Sequence, residues 1–146
     1  YSTGRDEWLI SPSLDLGNDP SMYHVVEFDI ALTDYVNATA GICGVDDSLA
    51  FVMSSDNGVT WNRAGIMELW DTGNAPSHTG DHFQHIFQGT GVVKFGFYAA
   101  SSVANTDNDW HIDNFSIRDT VFAGIEELDE VSHWVFDGIT KSGYIV

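Results

Sequence analysis

The chain has 146 residues, 43% apolar and 13% aromatic, with one cysteine. That suffices to bury roughly 70% of the unfolded surface in a single core, and it is too apolar for a disordered segment. Its 22 acidic residues against 5 basic ones give a net charge of −17, which makes nucleic acid and anionic membrane poor partners. No apolar run approaches the roughly 18 residues of a membrane-spanning helix, so no membrane span is expected.

In chain order the apolar pattern is short and alternating, broken at close intervals by turn residues, and nowhere helical in period. Trp8 to Ile10 begins a strand that stops at Ser11-Pro12. In HVVEFDIAL, Val26, Phe28, Ile30 and Leu32 share one face while Glu27 and Asp29 take the other. Leu49, Phe51 and Met53 repeat the alternation, as do Val93, Phe95 and Phe97 around Lys94. WHIDNFSI, Trp110 to Ile117, is the last strong strand. The pattern predicts a single all-β domain, a two-sheet antiparallel β-sandwich, over residues 1–119.

Three stretches interrupt this pattern. SSDNGVTW, Ser54 to Trp61, has the Ser-x-Asp-x-Gly-x-Thr-Trp spacing of the Asp-box found in propeller sialidases. A propeller needs the motif in several copies at regular spacing, and the chain has one. The stretch therefore predicts a hairpin turn, with Asp56 bonding backbone N–H groups, Gly58 at positive φ and Trp61 folding back as a lid. Between Gly65 and Gly89, MELWDTGNAPSHTGDHFQHIFQ reads as a long irregular connection, the kind that is often functional. Residues 120–146 begin acidic and read as a linker toward a further domain, and a chain starting at Tyr1 reads as a piece of a larger precursor.

The order WLISPSLDL, VEFDIAL, LAFVMSSDNGVTW, VVKFGFYAA and WHIDNFSI resembles the MAM-like jelly rolls of secreted Bacteroidetes proteins, the choice-of-anchor or cleaved-adhesin type. The GIEEL tail is similar to the linker before type IX secretion sorting domains, although Phe136-Asp137-Gly138-Ile139 stands where those have Tyr-Pro-Asn-Pro. Asp47-Ser48-Leu49 and Asp119-Thr120-Val121 fit the O-glycosylation pattern of that phylum. The resemblance implies a secreted or cell-surface accessory domain beside proteases, glycoside hydrolases or adhesins. It also implies calcium where the first strand meets the last.

The candidate site residues follow from chemistry. By period 2, Asp113 shares the face of Phe115 and Ile117, and a buried carboxylate needs a cation or hydrogen-bond donors. Calcium, a hard cation that takes oxygen ligands, is the expected partner, with Asp6 and Glu7 assisting and Asp107 and Asp109 as further donors. Asp46-Asp47 forms another acidic loop. His78, His82 and His85 have helical zinc spacing, but they sit in a loop and a strand, where His82 and His85 face opposite sides. Trp70, with Asp71, Asn74 and His78, is the expected ligand-binding cluster, since an exposed Trp beside amide and carboxylate groups stacks on sugars or anchors partners. Cys43 is expected to be a small buried hydrophobe. No nucleophile motif, phosphate loop or defined acid pair appears, so no catalytic residue is expected. The expected function is a non-catalytic module for adhesion or attachment to neighbouring domains, stabilised by calcium. The alternative is carbohydrate binding beside a polysaccharide-degrading or proteolytic enzyme.

Overall fold

The computed structural model describes residues 4–102 and 108–121. Asp107, most of the proposed 120–146 linker and the sorting-type tail lie outside them. The described chain is all-β: β1 Arg5–Ile10, β2 Leu14–Asp15, β3 Tyr23–Asp34, β4 Asp47–Ser54, β5 Ile66–Trp70, β6 Asp81–Gln88, β7 Val92–Ser101 and β8 Asn108–Thr120. One 3-10 turn, Arg63–Gly65, is capped by Asn62, whose side chain accepts from the Ala64 N–H.

Two antiparallel sheets pack face to face. The larger has the order β1-β7-β4-β5, with β2 also pairing β7, and the smaller has the order β6-β3-β8. The expected two-sheet antiparallel sandwich is therefore what the chain forms. Alternation explains the core: Val26, Phe28, Ile30 and Leu32 of β3, Leu49 and Phe51 of β4, and Val93, Phe95 and Phe97 of β7 are buried. Phe28 sits at the centre, edge-on to Phe51 and Phe97 at 4.9 Å and stacked on Phe83 at 4.7 Å. His24 closes one end of the sandwich from a fully buried position. Its ring nitrogens lie 2.9 Å from Asp119 Oδ1 and 3.1 Å from the Gly89 carbonyl.

The region 65–89 is more regular than its sequence implies. It contains β5 and β6, and the irregular connection shrinks to residues 71–80. Conversely, Val59 to Trp61 is not a strand, because the chain runs through a loop and the 3-10 turn before pairing resumes.

Strand β8 departs from strict alternation. Glu27 pairs with Ser116 and Asp29 with Asp113, so Asn114 and Phe115 together stand opposite the single residue Phe28. Asn114 takes a left-handed conformation, φ 54°. This β-bulge lets Trp110 and Ile112 face the core before it, and Phe115 and Ile117 after it. Asp113 falls on the other side and is solvent-exposed, which corrects its predicted inward placement.

Candidate functional site: an aromatic groove on the larger sheet

Period 2 and the observed register place Asp6, Trp8 and Ile10 of β1 on the outer face of the larger sheet. They share it with Lys94, Gly96 and Tyr98 of β7, and with Ser48, Ala50 and Val52 of β4. Trp8 and Tyr98 stand directly opposite each other, with ring centroids 4.7 Å apart. Trp61 comes from the Asp-box loop and brings its ring centroid to 5.0 Å from that of Trp8.

Gly96 makes the floor under both indoles. A Cβ there would lie 2.9 Å from Trp61 Cζ3 and 3.0 Å from Trp8 Cζ3, so only glycine lets both rings approach the strand this closely. The rings border an open groove of about 730 Å³, lined also by Ser48, Ala50, Val52, Asn62, Arg63, Ile66 and Leu69. At its β1 end, Asp6 accepts a hydrogen bond from the Tyr98 hydroxyl and holds that phenol above its ordinary pKa.

The Asp-box aims Trp61. Asp56 Oδ1 accepts from Ser54 Oγ at 2.6 Å and from the Thr60 N–H at 2.9 Å, and Oδ2 accepts from Thr60 Oγ1 at 2.6 Å. The Gly58 N–H donates to Ser54 Oγ at 2.9 Å, while Asn57 and Gly58 take φ 59° and 85°. These bonds, Ser54 first, lower the Asp56 pKa to about 2. The motif is a turn that fixes the exit direction of the chain, and the next two residues, Asn62 and Arg63, line the groove.

The residues expected to bind ligands or metal are placed differently. Trp70 is 7% exposed and packs edge-on against Phe28 and Phe83, so it is a core residue with no face free for a ligand. Asp71 and Asn74 satisfy each other's turn: Asn74 Oδ1 accepts from the Asp71 N–H, and Asp71 Oδ1 accepts from the Gly73 N–H. His78 is exposed in the same loop. The cluster therefore divides into a core Trp and a self-satisfied turn.

Asp6 lies on the outer face of the larger sheet, and Glu7, opposite Ala99, is exposed at the edge of β1. Asp113 and Asp109 lie on β8 of the other sheet, opposite Asp29 and Thr33. The structure does not bring this set together, and among the described residues no group of three His, Cys, Asp or Glu side chains converges as metal ligands. His82 points outward to Asp29, whose pKa is lowered by Asn114 and then by His82. His85 turns inward against Phe83. Cys43 is buried. Asp46 and Asp47 tie their loop to neighbouring strands: Asp47 Oδ2 accepts from the Gly44 N–H and from Asn108 Nδ2 of β8, and Asp46 Oδ2 accepts from Ser101 Oγ of β7.

A second cavity, about 510 Å³, opens between the sheets along β1, β2 and β8. It is lined by Leu9, Leu14, Phe95, Phe97, Ile112 and Phe115 among others. Its walls are mainly apolar, with Ser11, Asp113, Asn114 and Ser116 at its border.

The groove was missed because its parts are far apart in the sequence and each had a local explanation. One signal was present: LAFVM is apolar without interruption, the mark of a strand covered on both faces. No protein-family model matches the chain, and no curated protein matches it.

Proposed function

We propose that the chain is a non-catalytic accessory module of a secreted or cell-surface protein, and that it binds carbohydrate in the groove of the larger sheet. The observation that carries this reading is the Trp8–Tyr98–Trp61 row laid over Gly96, with Ser48, Asn62 and Arg63 at its border. Aromatic faces stack on the apolar C–H faces of sugar rings, while hydroxyl, amide and guanidinium groups take the sugar hydroxyls. The rings are fixed by the strand register and by the Asp-box, so little ordering cost falls on binding. Attachment to a protein, the other mode considered, is supported by no comparable arrangement of polar groups in the apolar cleft.

Calcium has no part in this reading. Asp113 and Asp6 stand on opposite sheets, and Asp6 is already engaged by Tyr98.

The test is native affinity electrophoresis in gels carrying plant, algal and bacterial polysaccharides. Retardation is expected on at least one, with Trp8→Ala and Trp61→Ala each weakening it by about tenfold or more, the scale of a lost aromatic anchor. Trp70→Phe should bind as the wild type does. If Trp8→Ala and Trp61→Ala are retarded as strongly as the parent, the groove is not the binding site.

A further inference from the structure

We infer that the groove takes an anionic polysaccharide, one bearing uronate carboxylates or sulfate esters. This inference rests on the carbohydrate reading above and names the class of ligand. The chain holds 22 acidic side chains, yet none stands among the residues lining the groove, and Asp6 at its β1 end is engaged by the Tyr98 hydroxyl. Arg63 does line it, and in this strongly acidic protein Arg63 makes no ion pair among the described residues.

A second cation stands beside Trp61, just outside the residues that line the groove. Lys94 lies on the outer face of β7, two residues before the Gly96 floor. Beside Gly58, Lys94 Cδ is 3.0 Å and Trp61 Cζ2 is 3.7 Å from the point where a Cβ would sit. Lys94 likewise has no ion pair among the described residues. Arg63 and Lys94 thus both accompany Trp61, while Tyr98, roughly 13 Å from Lys94 along the strand, marks the other end together with Asp6.

Neither cation has a carboxylate partner among the described residues, so both are free to pair with a ligand anion at the point where the aromatic platform supplies stacking. Arg63 offers the planar fork that matches a carboxylate or sulfate with two parallel hydrogen bonds, and Lys94 offers a movable point charge. The remaining negative surface would repel a polyanion at long range. At physiological salt that repulsion is screened beyond about 8 Å, so contacts within the groove decide binding.

The experiment uses affinity gels of two kinds: neutral (galactomannan, xyloglucan, laminarin) and anionic (alginate and polygalacturonate for carboxylates, carrageenan and chondroitin sulfate for sulfates). The expected result is retention on an anionic gel only, weakened by about 0.5 M NaCl. Arg63→Gln and Lys94→Gln should each reduce that retention about tenfold. Arg118→Gln makes the same charge change on the opposite sheet, where Arg118 pairs with Glu27 at 3.5 Å, and should not affect retention. Retention on neutral gels alone, unaltered by Arg63→Gln and Lys94→Gln, overturns the anionic class and leaves the carbohydrate reading standing. Retention on no polysaccharide overturns both. Equal retention on polyglutamate assigns the cations to acidic polypeptides and overturns the inference.

Discussion

Asp56 shows what a single side chain contributes to the groove. Its carboxylate collects hydrogen bonds from Ser54 and Thr60, and the pKa falls to about 2. In an unfolded chain the value would be about 3.9. A depressed folded pKa means that the contribution to stability is complete above the unfolded value and is lost as pH falls through the folded one. The window therefore runs from about pH 4 down to about pH 2. Asp56→Asn keeps the shape but cannot titrate, and every other carboxylate titrates in both proteins. The difference in urea midpoint between wild type and Asp56→Asn should be flat above pH 5 and shrink steadily toward pH 2. A difference that stays constant over that range would show that the hydrogen bonds do not favour the ionised form.

At the scale of elements, the bulge in β8 decides what faces where. Asn114 sits at φ 54°, and its side chain donates to Asp29 Oδ2 at 2.7 Å. Asn114→Ala and Asn114→Gly both lose that bond, so comparing them isolates the backbone. In a regular strand Ala is more stable than Gly by roughly 0.5–1 kcal/mol. Here the order should invert, with Gly more stable than Ala by about 1 kcal/mol in urea unfolding, because a Cβ in the left-handed region is strained. Equal or greater stability of the Ala variant would remove the bulge from the explanation of β8. The same bulge marks the limit of what the sequence revealed. Alternation placed the buried faces of β3, β4 and β7 correctly because those faces are continuous. In β8 the apolar residues change parity between Ile112 and Phe115 with Asn114 between them, and reading one unbroken period put Asp113 inside. In β5 a register shift opposite Phe51 and Val52 blurs the alternation, so Trp70 read as a loop residue although it ends a strand in the core. The groove was less legible still, since the pairing of Trp8 with Tyr98 is a matter of long-range register that local pattern does not encode.

For the whole molecule, the net charge of −17 sets the response to salt. Like charges spread over one small domain repel one another, and the repulsion relaxes when the chain expands. Raising the ionic strength from about 0.01 to 1 M shortens the screening length from roughly 30 to 3 Å, which removes most of this penalty. An opposing effect is the screening of favourable pairs. Among the described residues these are few: Arg118–Glu27 at 3.5 Å, and two histidine–aspartate contacts at 2.9 Å. The two accessible ones, Arg118–Glu27 and His82–Asp29, contribute about 0–1 kcal/mol each, while His24 is buried. Repulsion among 22 acids should win, and NaCl should raise the melting temperature by several degrees, about 2–5 °C per kcal/mol recovered in a domain of this size. Binding should respond in the opposite sense, because salt competes with the ligand anion for Arg63 and Lys94. Calorimetric scans and affinity gels run over the same NaCl series should therefore diverge, with stability rising while retention falls. A melting temperature that falls with salt would mean that the few ion pairs outweigh the acidic surface.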